Sequence, residues 1–156
     1  MNQALSRLVL PVICVMICFI PGIFGSYFSP GEWYVNLTKP ALTPPGWLFP
    51  IVWTALYLMM GGAMFLVLIS AQKQRLLPAI TVFILQLVLN GLWSWLFFGL
   101  HRPDLALIEI SLLWFLILIS MILFWRIRPL AGWLLLPYLL WVGFAAWLNF
   151  WLWRLN

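Results

Sequence analysis

The sequence predicts an all-α membrane protein: a five-transmembrane-helix bundle with its N-terminus in the cytoplasm. Three observations lead there. Of 156 residues, 66% are hydrophobic and 7% charged, and the mean hydropathy is +1.10, more apolar surface than a soluble domain of this size can bury. Five apolar stretches, residues 8–28, 47–71, 77–100, 105–125 and 130–153, each reach the roughly 20 residues that cross a bilayer core. Arg7, Lys73, Arg75, Arg126 and Arg128 fall on the side of the N-terminus and the second and fourth connections, against Lys39, Arg102 and Arg154 on the other, together with Glu32 and Asp104. Five against three favours a cytoplasmic N-terminus. No stretch alternates with period two, which argues against a β-barrel, and the spans leave no room for a second domain, so residues 1–156 form one.

The first span follows Arg7, carries Pro11 and the pair Pro21-Gly22, and lacks a small-x-small cleavage site, so it reads as a retained, kinked helix. Gly22 and Gly25 permit close approach of a neighbour. Cys14 and Cys18 lie four apart with no histidine or carboxylate beside them, and read as small packing residues rather than metal ligands. Residues 29–46 form a shaped connection: Pro40, Pro44 and Pro45 remove backbone donors and keep residues 38–45 out of helix interior. Thr43 before two prolines reads as the N-cap of a second span starting near Gly46. That span carries Trp53, Tyr57 and Gly61 at successive i+4 steps. The connection QKQR at residues 72–75 is short and basic, and Pro78 is expected to start the third span.

The third span places Gln86, Asn90 and Ser94 on one stripe, beside Trp93 and Phe97. Three hydrogen-bonding side chains must face protein or an enclosed polar group, because facing lipid is costly. The tight connection at residues 101–104 makes the third and fourth spans antiparallel neighbours. The fifth aligns Pro137, Trp141, Ala145 and Asn149, and ends in aromatics and Arg154, an interfacial anchor.

Three spans thus present a tryptophan (Trp53, Trp93, Trp141), two add Asn90 and Asn149, and two add Gly61 and Ala145. Facing one another, these residues line an aromatic slot suited to a large, flat, mostly apolar ligand. The alternative is helix packing, with tryptophan filling space and amides as interhelical glue; Gly61, Gly62 and Gly91 would then serve close contacts between helices or copies. The lone histidine, His101, lies in a connection, which excludes bis-histidine haem ligation within the membrane and a histidine-based hydrolytic site. Glu109 is the one carboxylate expected at membrane depth, a candidate proton-coupling group; snorkelling towards Asp104's surface or pairing with Arg102 is the preferred reading. Scattered basic residues at helix ends exclude a nucleic-acid-binding patch.

The motifs W-Y-x-x-L-x-K-P at residues 33–40, T-P-P-G-W-x-F-P-x-x-W-T-x-L-Y at 43–57, Q-L-x-x-N-x-x-W-S at 86–94, F-F-G at 97–99 and P-Y-L-x-W-x-x-x-A-x-x-L-N at 137–149 occur in order along the whole chain. On these residues the chain resembles bacterial-type members of the TspO/MBR family. The resemblance implies a five-helix homodimer that binds porphyrins such as protoporphyrin IX and haem, with sterols and benzodiazepine-type drugs as further ligands. It also implies a pocket closed by the first connection and lined from the second, third and fifth spans: Tyr34, Trp53, Tyr57, Asn90, Trp93, Ser94, Trp141 and Ala145. No cofactor or metal is implied beyond porphyrin as ligand. Two departures stand out. Leu42 replaces a tryptophan common in the family, and the segment at residues 148–154 has Phe150 where a cholesterol motif has tyrosine, so a tetrapyrrole is favoured over a sterol.

The resulting expectation is a membrane-embedded tetrapyrrole receptor or transporter with a stress-sensing or regulatory role. One alternative is light- and oxygen-dependent porphyrin degradation using Trp53 and Trp141; the other is a purely structural membrane partner. The cell membrane is the expected location, with an outer membrane the open alternative.

Overall fold

A computed structural model describes residues 3–28, 30–70 and 73–156. The side chains of Arg7 and Lys73, which entered the charge comparison, together with Gln72 and the span end expected at Ala71, lie outside the described residues. Among the described residues, five helices are long and apolar enough to cross a membrane and there is no strand. The chain is a multi-pass integral membrane protein.

Helix α1 runs Gln3–Ser26, the short α2 Glu32–Asn36, α3 Leu48–Leu68, α4 Lys73–Ser94, α5 Pro103–Ile127 and α6 Pro129–Leu155. Pro103 and Pro129 each occupy the first turn of their helix, where a missing N–H costs nothing; this sets both starts a residue or two before the apolar runs begin. Two expected starts are corrected. Pro78 lies inside α4 rather than at its beginning, forfeiting one hydrogen bond near the exposed helix end. Thr43 caps no helix: its hydroxyl donates to the Pro40 carbonyl at 2.8 Å, closing a turn, and α3 begins after Trp47 without a side-chain cap.

The five spanning helices close a ring in the order α1, α3, α6, α5, α4 and back to α1, with α5 against α6 the most extensive interface and little direct contact between α3 and α4. The antiparallel pairing of α4 with α5 is as expected. Its connection turns at His101, whose φ of 54° is left-handed.

Water does not drive helices together in lipid; close packing does, and α1 is fitted by small residues. A Cβ at Gly61 would lie 2.6 Å from a Val15 methyl and 2.7 Å from the Val15 Cα, and one at Gly22 would lie 2.6 Å from the Tyr57 ring. Gly91 faces Pro21 and Phe24 of the same helix. Gly61 and Gly91 therefore serve contacts inside the chain, which removes them as candidates for joining copies. Cys14 and Cys18 are both buried in the main core, as packing residues should be. Leu8, Val12, Met16, Ile20 and Ile23 on α1 are exposed, on the outer side of the ring.

Candidate functional site

The centre of the ring is spanned by a chain of buried side chains. The Tyr57 hydroxyl donates to Asn90 Oδ1 at 2.9 Å, Asn90 Nδ2 donates to the Tyr138 hydroxyl at 3.0 Å, and that hydroxyl donates to Gln86 Oε1 at 2.8 Å. All four residues are buried. The chain ties α3, α4 and α6 together across the middle, where the ring alone leaves α4 separated from the other two by α1 and α5. An amide satisfies such a position because it donates and accepts at once, while the Tyr138 phenol relays the bond onward. Gln86 and Asn90 thus face protein, as their cost in lipid demanded.

Not every member of the expected stripes stays on this face. Four residues turn a helix by about 400°, so each i+4 step advances about 40°. By Ser94 the α4 stripe has rotated onto α1, where the Ser94 hydroxyl sits 2.8 Å from a Cβ built at Gly25. Gly61 has likewise rotated onto Val15. Asn149, three steps beyond Pro137, meets α4 and α5 instead: it accepts from Trp93 Nε1 at 3.0 Å and donates to the Pro103 carbonyl at 2.7 Å. Tyr138 was not foreseen. It lies one residue off the Pro137–Trp141 stripe, and the available signal was a phenol in an apolar helix, which must find a partner when buried.

Above this chain, towards the ends of α3 and α6 that meet the first connection, lies an aromatic layer. Trp53 is half-buried, its ring 5.4 Å from Tyr57 and 6.1 Å from Tyr138. Trp141 on α6 is half-buried, 5.9 Å from Phe49 of α3 and 5.8 Å from Phe144, with Ala145 one turn on. Trp141 Nε1 is buried and has no acceptor. Trp93 differs: its N–H is committed to Asn149 and its ring stacks on Phe97 at 5.0 Å.

The connection at residues 30–47 folds over this end. After α4 the backbone widens into a π-helical turn, Trp95–Gly99, in which the Leu100 N–H reaches the Trp95 carbonyl five residues back at 2.8 Å. The wider turn presents both Phe97 and Phe98 to α2. Tyr34 meets them edge-on, at 6.2 Å and 5.4 Å, and Trp33 stacks on His101 at 4.4 Å. Burial pushes the Tyr34 phenol above its ordinary range. Lys39 lies 4.7 Å over the Tyr34 ring and donates to the Val35 carbonyl at 3.0 Å and the Leu37 carbonyl at 3.3 Å. Leu42 points outward, 67% exposed.

A second tie comes from beyond α6. The Asn156 side chain accepts from the Thr38 N–H at 2.9 Å and donates to the Thr38 carbonyl at 3.1 Å, gripping the backbone of the connection by both ends of one peptide-like group. Asn156→Ala is expected to speed amide hydrogen exchange around Thr38 by about tenfold, the value of one to two net hydrogen bonds, with the spanning helices unchanged. Mass-spectrometric exchange of that segment checks it; equal protection in both proteins would show that the aromatic contacts hold the connection alone.

Glu109 neither snorkels nor pairs with Arg102. It is buried and both oxygens lack a hydrogen-bond partner. Arg102 is taken by Asp104, with bonds of 2.8 Å and 2.6 Å, a two-pronged pair that pushes the guanidinium further up. Asp104 lies two residues from Arg102, within reach of both prongs, so the nearer carboxylate wins. The pair is exposed and contributes little to stability.

Comparison with known proteins follows the same outline. A model of the TspO/MBR family matches residues 14–154. The chain is 42% identical to a tryptophan-rich protein TspO of Chlorobaculum tepidum, an alignment covering 100% of this chain and 99% of that one. It is 39% identical to a tryptophan-rich sensory protein of Cereibacter sphaeroides over 89% of this chain and 86% of that one. It is 34% identical to the translocator protein of Homo sapiens over 89% and 83% of the two chains.

Proposed function

The chain belongs to the TspO/MBR family, and on that premise we propose that it is a tetrapyrrole-binding receptor or transporter, with protoporphyrin IX or haem as ligand and a stress-sensing or regulatory role. The observation that carries this reading is the Trp141 indole: half-buried, flanked by Phe49 and Phe144, with an N–H that finds no acceptor. A buried donor left unpaired is costly, and a ligand that brings both a flat π-face and an acceptor relieves it. Trp53 supplies a second wall, the Tyr57–Asn90–Tyr138 chain a fixed floor, and the connection carrying Tyr34 the cover. The names of relatives, a sensory protein and a translocator, support the receptor and transport roles. The homodimer and a cytoplasmic N-terminus belong to the same proposal.

The test is a dark titration with protoporphyrin IX of the protein in lipid nanodiscs, followed by tryptophan quenching. Trp141→Phe keeps a ring and loses the donor, and is expected to weaken binding by roughly fivefold. Trp141→Ala loses both and is expected to weaken it by roughly tenfold to a hundredfold. Unsaturable quenching, identical in all three proteins, would mean that porphyrin merely partitions into lipid.

A further inference from the structure

At the end of the bundle opposite the cover, a cavity of about 520 Å³ opens between α4 and α5, lined by Gln74, Arg75, Pro78, Leu123 and Arg126. Two arginines line it. Arg75 donates one N–H to the Arg126 carbonyl at 3.2 Å, capping the last turn of α5 and leaving most of its five donors uncommitted. Among the described residues the only ion pair joins Arg102 and Asp104, so neither arginine has a carboxylate partner. The chain has three acidic residues: Glu32 and Asp104 lie at the covered end, and Glu109 in the half of α5 nearer to it. The cavity is therefore cationic with no internal counter-charge.

Beside it runs a second, almost wholly apolar groove of about 260 Å³, lined by Met121, Ile122, Trp125 and Arg126. It shares Arg126 with the first and follows α5 towards the interior of the bilayer. Trp125 and Trp133, 4.6 Å apart and both exposed, fix the depth, because exposed tryptophans at span ends mark the headgroup level. A cationic pocket at headgroup depth that continues into an apolar groove matches one kind of molecule.

We propose that Arg75 and Arg126 bind the phosphate of an anionic phospholipid, with an acyl chain lying along Met121, Ile122 and Trp125. The guanidinium forks grip phosphate oxygens in pairs, and basic pockets between spanning helices are where anionic headgroups dock. A free phosphate ion offers the same oxygens and none of the chain. The site is independent of whatever binds beneath the cover.

Native mass spectrometry of the protein in neutral detergent, offered equimolar phosphatidylglycerol and phosphatidylcholine, tests the assignment. Retained phosphatidylglycerol is expected to exceed phosphatidylcholine by on the order of tenfold. The preference should fall to parity in Arg75→Gln/Arg126→Gln, persist in large part in Arg75→Lys/Arg126→Lys, and withstand millimolar inorganic phosphate. The lysine variant guards against misfolding, since it perturbs the same positions while keeping the charge. An undiminished preference in the glutamine variant would overturn the site. Loss of the preference in the lysine variant as well would overturn a charge-based grip, and displacement of the lipid by inorganic phosphate would overturn the lipid as its ligand.

Discussion

Gly61→Val is expected to dislodge α1 from the bundle, the largest single effect on the fold. A Cβ at residue 61 would meet a Val15 methyl at 2.6 Å, the Val15 Cα at 2.7 Å and the Val15 nitrogen at 2.9 Å. Two of these atoms are backbone, so no rotamer change relieves the clash and the whole helix must move. Overpacking a filled interface costs about 1–3 kcal/mol where side chains can adjust; here they cannot, and a loss of more than about 3 kcal/mol is expected, read as a large fall in Tm in detergent. The control is adjacent. A Cβ at Gly62 meets only a Leu134 methyl, at 3.7 Å, so Gly62→Ala should melt within a degree or two of the parent. Similar Tm values for Gly61→Val and the parent would mean that α1 is not held as described.

Asn90→Leu is the second. It removes the acceptor of the Tyr57 hydroxyl and the donor to Tyr138, cutting the cross-ties between α3, α4 and α6 with a side chain of similar size. Interhelical hydrogen bonds in lipid average below 1 kcal/mol each, but two are lost and a buried hydroxyl is stranded, so about 2 kcal/mol is expected. The coupling is the sharper readout. Once Asn90 is gone, Tyr57→Phe should cost nothing further, whereas in the parent it should cost about 1 kcal/mol. Additive losses would show that the two residues act separately. This is also why the porphyrin titration rests on Trp141: weaker binding in an Asn90 variant would mix a disturbed floor with a lost contact.

How much of this was legible in the sequence depended on the physics behind each feature. Five spans were readable because lipid demands a length of apolar helix and nothing else. The inward orientation of Gln86 and Asn90 was readable for the same reason, since polar atoms cannot face lipid. The partners were not. Whether residues four apart share a neighbour depends on how far the stripe winds before another helix meets it, and so Ser94, Gly61 and Asn149 left the slot that their spacing suggested. Tyr138, one position off the stripe, is the hinge of the whole polar chain. The short α2 and the π-helical turn carry no local signal, because what marks them is a contact between them: Trp33 packs on Phe97, and Tyr34 on Phe97 and Phe98. Glu109 defied expectation because a closer carboxylate had already claimed Arg102. Of the eight residues carried over from the family resemblance, Tyr57 and Asn90 join the central hydrogen-bond chain, Trp53 packs on Tyr57 and Tyr34 lies in the first connection. Trp141 packs on Phe49 with Ala145 one turn on, whereas Ser94 turns to α1 and Trp93 is tied to Asn149.

The grip of Asn156 on Thr38 has a consequence in time rather than in affinity. It holds main-chain atoms that stay the same whether or not anything lies underneath, so it stabilises the closed cover equally in both states. Loosening it should accelerate entry and escape by the same factor, about tenfold for one to two hydrogen bonds, and leave the midpoint of an equilibrium titration where it was. On the proposed function, the residue just past the last helix would act as a clock: it would set how long a bound tetrapyrrole stays and how soon a new one can enter.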